Sequence, residues 1–333
     1  MKNKIKSLLT PRNIVFLIII AGMLVAPLLT DPYQLRILIT AELSMIFGMS
    51  LNLLMGIGGT VSFGHAAFYS IGAYTTACLW YHFKFDYSQS FIFVLIITGL
   101  AGLLLALPMS RITGRYVTII TLSFAEIVRL ITEYWSSVTL GNNGIVGIPS
   151  ITLFGYRLPN KTAFYYFALI FVVITYVFMY WIVHSKLGRN LQAMRDDPIA
   201  AEAMGIKLFP NKVIIFTISA VFAGLAGSLY AHLMTYVDPN TFNSTLSFNC
   251  ISTVVIGGLG NFSGTMIGAL FLSILPEYLR KFEFLFKYRM IVYGAVLVIV
   301  MWLNHSIPGA KIKKKFAEIV NKIFKKNSKK EEA

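Results

Sequence analysis

The sequence predicts an all-α polytopic membrane protein with about ten transmembrane helices, within a range of eight to ten. Three observations carry that expectation: an apolar composition, apolar runs of bilayer length, and basic residues gathered beside those runs. Of 333 residues, 56% are hydrophobic and only 13% are charged, and mean hydropathy is +0.70. Soluble domains carry about 25% charged residues, so this chain has too little polar surface to dissolve. A helix that crosses a bilayer needs roughly 20 apolar residues. Runs near that length fall at 14–29, 37–55, 66–82, 91–109, 116–136, 162–183, 211–235, 246–258, 265–279 and 288–304.

The flanks set the sidedness. Formal net charge is +15, and the ends are strongly basic: Lys2, Lys4, Lys6 and Arg12 at one, nine lysines within 311–330 at the other. Basic residues mark cytoplasmic flanks, so both termini are expected in the cytoplasm of a bacterial cell, as a basic segment 1–13 and a tail 305–333. A signal peptide ending near residue 29 is not expected, because more spans follow a cytoplasmic N-terminus. Nucleic acid is not an expected partner, since the basic residues flank spans. In the tail, Ile312, Phe316, Ile319 and Ile323 recur in steps of three and four among lysines. That pattern suits an amphipathic helix on anionic membrane lipid. With ten spans between the tails, "MSRITGR" (109–115) and the charged segment 185–210 also fall inside, while 137–161 and 236–245 fall outside.

Within the transmembrane region 14–304, the chain carries no phosphate-binding Gly-x4-Gly-Lys-Ser/Thr loop, no nucleophile elbow and no metal-ligand spacing. Catalysis, cofactors and metals are therefore not expected, and any driving energy must come from an ion gradient or another polypeptide. Small residues recur at helical spacing around Gly224 and Gly227, and Gly260, Gly264 and Gly268 form a doubled Gly-x3-Gly. Such residues let helices approach closely in lipid, either within this chain or against a second membrane subunit. "GIGGTVSFGH" interrupts apolar sequence, so Gly58, Gly59, Gly64 and His65 form either a pathway loop or a turn between spans. Charged residues inside spans are few. Glu126, Arg129 and Glu133 share a helix face at i, i+3 and i+7. They form either a translocation site or an ion pair that orients the helix. Glu42 stands alone in its span.

The segment 185–207, "SKLGRNLQAMRDDPIAAEAMGIK", reads as two short helices. Asp197 suits an N-cap, Pro198 the first helical position and Gly205 the left-handed position after the last turn. Ala200, Ala201 and Ala203 make the second helix narrow, and Leu191 and Met194 of the first are available for contact. A soluble partner with a groove could receive such an element.

This segment, with the sequence after it, resembles the cytoplasmic coupling region of ABC-importer permeases. The likeness is greatest to the LivM-type permeases of branched-chain amino acid importers. The general importer motif is Glu-Ala-Ala, with Gly after three further residues. Ala200, Ala201 and Gly205 match it, Ile199 stands at the position of the acid, and Glu202 lies within it. "GHAAFYSIGAYTTA", "GRYVTIITLSFAEIVRLI", "GNNGIVGIPSI" and "GGLGNFSGTMIGA" are similar to the same family, and the likeness covers roughly residues 35–309. The resemblance implies a transport subunit that passes branched-chain or other hydrophobic amino acids unmodified. It implies a second related permease in a heterodimer, two cytoplasmic ATPases and an extracytoplasmic amino-acid-binding protein. ATPase contacts would fall on Leu191, Met194, Pro198, Ala200, Ala201, Glu202 and Gly205. Permeases for urea or short amides are the alternative inside the family. Outside it, the alternative is an ion-coupled transporter that uses Glu126.

Overall fold

The structure, a computed structural model, describes residues 11–112, 114–153, 155–280, 294, 295 and 298. The basic tails, including the amphipathic pattern at 312–323, and most of the run 288–304 lie outside the described residues. Residues up to Leu275 form one compact unit, and the few described residues from Pro276 onward belong to a second.

Among the described residues, helices occupy the apolar runs up to residue 280. They are α1 (Pro11–Leu29), α2 (Pro32–Asn52), α3 (His65–Phe83), α4 (Tyr87–Met109), α5 (Arg115–Tyr134), the short α6 (Ser136–Thr139) and α7 (Lys161–His184). Then come α8 (Lys186–Asp196), α9 (Pro198–Ala203), α10 (Leu208–Met234), α11 (Ser244–Gly257) and α12 (Phe262–Arg280). Five helical stretches among the described residues are long and apolar enough to cross a membrane: Pro32–Ile57, Tyr87–Met109, Lys161–His184, Leu208–Met234 and Phe262–Arg280. Helix starts follow local chemistry. Pro32 and Tyr87 each follow an aspartate, and the Gln34 and Gln89 side chains accept from the backbone N–H of Asp31 and Asp86.

The two ends of the bundle separate cleanly. At one end, β1 (Ile145–Val146) pairs antiparallel with β4 (Tyr236–Val237), in the register Ile145↔Val237. Asp86 joins the same end, accepting from Thr152 Oγ1 at 2.8 Å and from Gly155 N at 3.1 Å beside the small hairpin β2 (Thr152–Leu153) and β3 (Tyr156–Arg157). At the other end the segment 185–207 meets the glycine turn after α2. The segments 137–161 and 236–245 thus share one end, and 109–115 and 185–207 share the other.

Helices α2 and α10 form the centre. Ile39, Met45, Ile46, Met49 and Leu51 of α2 are fully buried, as are its polar Glu42, Ser50 and Asn52, because protein surrounds most of the helix. Ser219 Oγ of α10 donates to Ser50 O at 2.6 Å, and Ser228 meets Thr76 of α3 at 2.7 Å. The small residues of α10 make this closeness possible. A Cβ on Gly224 would enter the Thr98 side chain of α4, and one on Gly227 would strike the Tyr69 backbone of α3. Gly264 abuts the carbonyl of Gly257, and Gly268 that of Thr253, so α11 and α12 lie backbone to backbone. These contacts are made within the chain.

Gly227→Val forces α3 and α10 apart along this contact. Overpacking at such a site costs about 3 kcal/mol. A lowered unfolding midpoint of the purified protein in detergent, relative to Val221→Ala on the same helix, is the expected outcome.

Candidate functional site

The site is built on interruptions. α2 does not end at Asn52 but widens into one π turn, Leu53–Ile57. Gly58 N donates to Leu53 O, and Thr60 N reaches back to Leu54 O at 3.1 Å. Gly59 then takes φ +65°, a left-handed conformation that glycine adopts without strain. A second interruption separates α11 from α12, where Gly258 and Gly260 have φ of +93° and +74°.

Asn52 joins the two interruptions. Its Oδ1 accepts from Gly260 N at 2.8 Å, and its Nδ2 donates to Thr265 Oγ1 at 2.7 Å and to Gly258 O at 3.3 Å. The side chain is fully buried. Gly56 lies so close that a Cβ would run into Asn52 Oδ1 and the Gly260 amide. After the first interruption the chain turns into α3. Phe63 N donates to Thr121 Oγ1 at 3.1 Å, and Gly64 lies against the Thr121 carbonyl on α5. His65 opens α3, is fully buried, and meets Ser50 Oγ through Nε2 at 2.8 Å.

The segment 185–207 folds as a helical elbow. Ser185 caps α8 by accepting from Gly188 N at 3.3 Å. Asp197 caps α9, its Oδ1 accepting from Ile199 N at 2.9 Å and Ala200 N at 3.1 Å, with Pro198 in the first turn. Gly205 follows with φ +80°. Ile206 N donates to Ala201 O and Gly205 N to Glu202 O, the paired bonds of a Schellman ending. The faces divide by polarity. Leu191 and Met194, expected to be available for contact, are instead 1% and 5% exposed, because the apolar stripe of α8 turns toward the bundle. Ala201 is also buried. Pro198, Ala200 and Glu202 stand outward, with Ile199 82% and Met204 83% exposed.

Arg195 fastens this elbow to the first interruption. Its Nη1 donates to Gly56 O at 2.8 Å, and its Nη2 pairs with Asp196 Oδ1 at 2.8 Å. Its stem covers Gly59, where a Cβ would lie 2.6 Å from Arg195 Cγ. A cavity of about 420 Å³ opens beside this contact, lined by Gly58, Thr60, Ser110, Arg195, Pro198 and Lys212 among others.

The remaining charges lie elsewhere. Arg129 pairs with Glu126 and Glu133, both at 2.6 Å. The sequence places Glu126 within a span as part of a translocation site or an orienting ion pair, and its side chain is 47% exposed on the outside of the bundle. The reason is local. Ala125 and Val128 take the inward face of α5, leaving Glu126 beside Tyr116, Ile119, Leu122 and Leu130 on the outward one. Glu42 is fully buried in α2, and neither carboxylate oxygen has a hydrogen-bond partner among the described residues. Asn52 and Arg195 were not singled out in the sequence. A lone asparagine four residues before "GIGG" and an arginine beginning "RDDP" are the signals that point to them.

A multi-pass helical bundle, with two interrupted helices meeting at a buried asparagine and a capped elbow at one end, has the build of a membrane permease. The chain belongs to the family described as branched-chain amino acid transport system / permease component, which it matches over residues 33–301. It is 32% identical over 280 residues to the high-affinity branched-chain amino acid transport system permease protein LivM of Salmonella typhimurium, covering 77% of this chain and 65% of that one. It is 33% identical over 287 residues to the Escherichia coli K12 protein of the same name, covering 78% and 67%. The ribose import permease protein RbsC of Haemophilus influenzae is 21% identical over 223 residues, covering 65% of this chain and 67% of its own. The chain therefore spans about two thirds of the length of these relatives. No solved structure matches it.

Asn52→Ala strips partners from the Gly260 N–H, the Gly258 carbonyl and the Thr265 hydroxyl at once. Unsatisfied buried groups cost about 1–3 kcal/mol each. A loss of about 3 kcal/mol in detergent is expected, read as a lower denaturation midpoint, with Asn52→Asp falling between parent and alanine variant.

Proposed function

We propose that the chain is the membrane-spanning permease subunit of an ATP-driven importer that translocates branched-chain or other hydrophobic amino acids. The observation that carries the reading is the elbow at 185–207. It is capped at both ends, anchored by Leu191, Met194 and Ala201, and presents Pro198, Ile199, Ala200, Glu202 and Met204 to solvent. Exposed apolar side chains on a rigid helical turn suit a groove on a soluble partner. That partner is a cytoplasmic ATPase, and two ATPases act on two such elbows. The termini and this end of the bundle face the cytoplasm. The opposite end, with the β1–β4 pair, receives substrate from an extracytoplasmic binding protein.

A second related permease completes the pathway. The outward face of α5 favours its position: Glu126, Arg129 and Glu133 form an ion-paired cluster among exposed Tyr116, Ile119, Leu122 and Leu130. Charges facing hydrocarbon are costly, and a partner subunit would cover them. The pairing of Arg129 with both carboxylates supports an orienting role over an ion-carrying one.

Affinity purification of tagged chain from mild detergent should recover one further permease and two ATPase copies. Recovery of the chain alone, active in vesicles without ATP, would overturn the reading. Gly205→Val places a branched residue in the left-handed region and costs about 1–2 kcal/mol at the end of α9. Membrane insertion should persist while ATP-dependent uptake falls several-fold, measured with radiolabelled leucine.

A further inference from the structure

Gly56 is held from two sides. From the cytoplasm-facing side proposed above, the Arg195 guanidinium donates to its carbonyl at 2.8 Å, and the Arg195 stem lies over Gly59. From the other, the Gly56 backbone abuts Asn52 Oδ1 and the Gly260 amide, two groups themselves hydrogen-bonded at 2.8 Å. The contact point sits within the π turn Leu53–Ile57. The amide four residues after Gly56, that of Thr60, donates to Leu54 O, so the Gly56 carbonyl is met by a side chain.

A π turn holds one residue more than an α turn and recurs at functional positions. Removing the outside ligand from its carbonyl lets the extra residue shift along the helix. Such a shift would give the element a second arrangement, and packed interiors switch between discrete arrangements rather than deforming continuously. Close-packed interiors leave little room for such a shift. The cavity of about 420 Å³ against Gly58, Thr60 and Arg195 supplies it.

We infer that Arg195 is a positioning residue for transport, carrying movement of the 185–207 elbow through Gly56 of the π turn to the Gly258–Gly260 turn between α11 and α12. The inference rests on the importer reading above. Asp196 belongs to the charge pair but not to the path, because the bond from Arg195 Nη1 to Gly56 does not involve it.

The test reconstitutes the full importer in vesicles and measures leucine uptake and ATP hydrolysis on the same sample. Arg195→Met should keep hydrolysis within twofold of the parent and lower uptake per ATP at least tenfold. Arg195→Lys should recover part of that ratio, since an ammonium can still donate to the Gly56 carbonyl, and Asp196→Asn should keep it near the parent value. Parent-level uptake per ATP in Arg195→Met overturns the inference, as does a parallel loss of both activities that lysine does not relieve. A second measurement uses the parent alone. Amide exchange in peptides covering 53–61 and 257–262 should change together when ATP is added. A change confined to 185–207 overturns the inference even if Arg195→Met fails to assemble. A parent whose uptake ignores ATP removes the importer reading, and this inference with it. An ATP-driven parent whose Arg195→Met variant couples normally removes the inference alone.

Discussion

Backbone amides buried in a packed bundle have no water to bond, so a helix broken there survives only where protein supplies the missing partners. Asn52 meets that constraint. Its one carboxamide serves Gly260 N, Gly258 O and Thr265 Oγ1. It thereby ties the π-turned end of α2 to the turn between α11 and α12. Both interruptions depend on that closure. So does the density of glycine at Gly56, Gly257 and Gly264, where side chains would collide with backbone, and at Gly260, whose φ of +74° favours glycine. The small residues are there because a buried amide can only reach its partners if the backbones come within hydrogen-bond distance.

The same logic separates what the sequence disclosed from what it withheld. Helix limits were legible because they are local. The apolar run at 162–183 became Lys161–His184, that at 91–109 became Tyr87–Met109, and the short runs beside Gly257–Gly264 became Ser244–Gly257 and Phe262–Arg280. The α9 helix was legible for the same reason, since Asp197, Pro198 and Gly205 act on their own neighbours. The hidden parts join residues far apart in the chain. Asn52 lies 208 positions from Gly260, and Arg195 lies 139 from Gly56. No periodicity marks such a pair. The π turn was also hidden, because "LLMGI" reads as a continuing helix.

Leu191 and Met194 show how a correct element can carry an incorrect face. Their spacing marks an apolar stripe, but a stripe does not say which neighbour it meets. Within this subunit the bundle is adjacent, and burial there removes apolar surface from water without waiting for a partner. Ile199 and Met204 cannot turn the same way. Asp197 and Gly205 fix the start and end of α9, and Ala201 already occupies its inward side.

That division gives the elbow its mechanical character. A loop would absorb a push by changing backbone dihedrals. α9 cannot readily do so, because its first amides are held by Asp197 and its last carbonyls by Gly205 and Ile206. Displacement applied at Ile199 or Met204 therefore moves α9 as a body. Arg195 sits near the junction of the two helices, two residues before the Asp197 cap, and its guanidinium is the polar group that reaches the Gly56 carbonyl. In the importer proposed above, the contact of Arg195 with Gly56 and Gly59 brings displacement of the elbow to the π turn, where α2 is least regular.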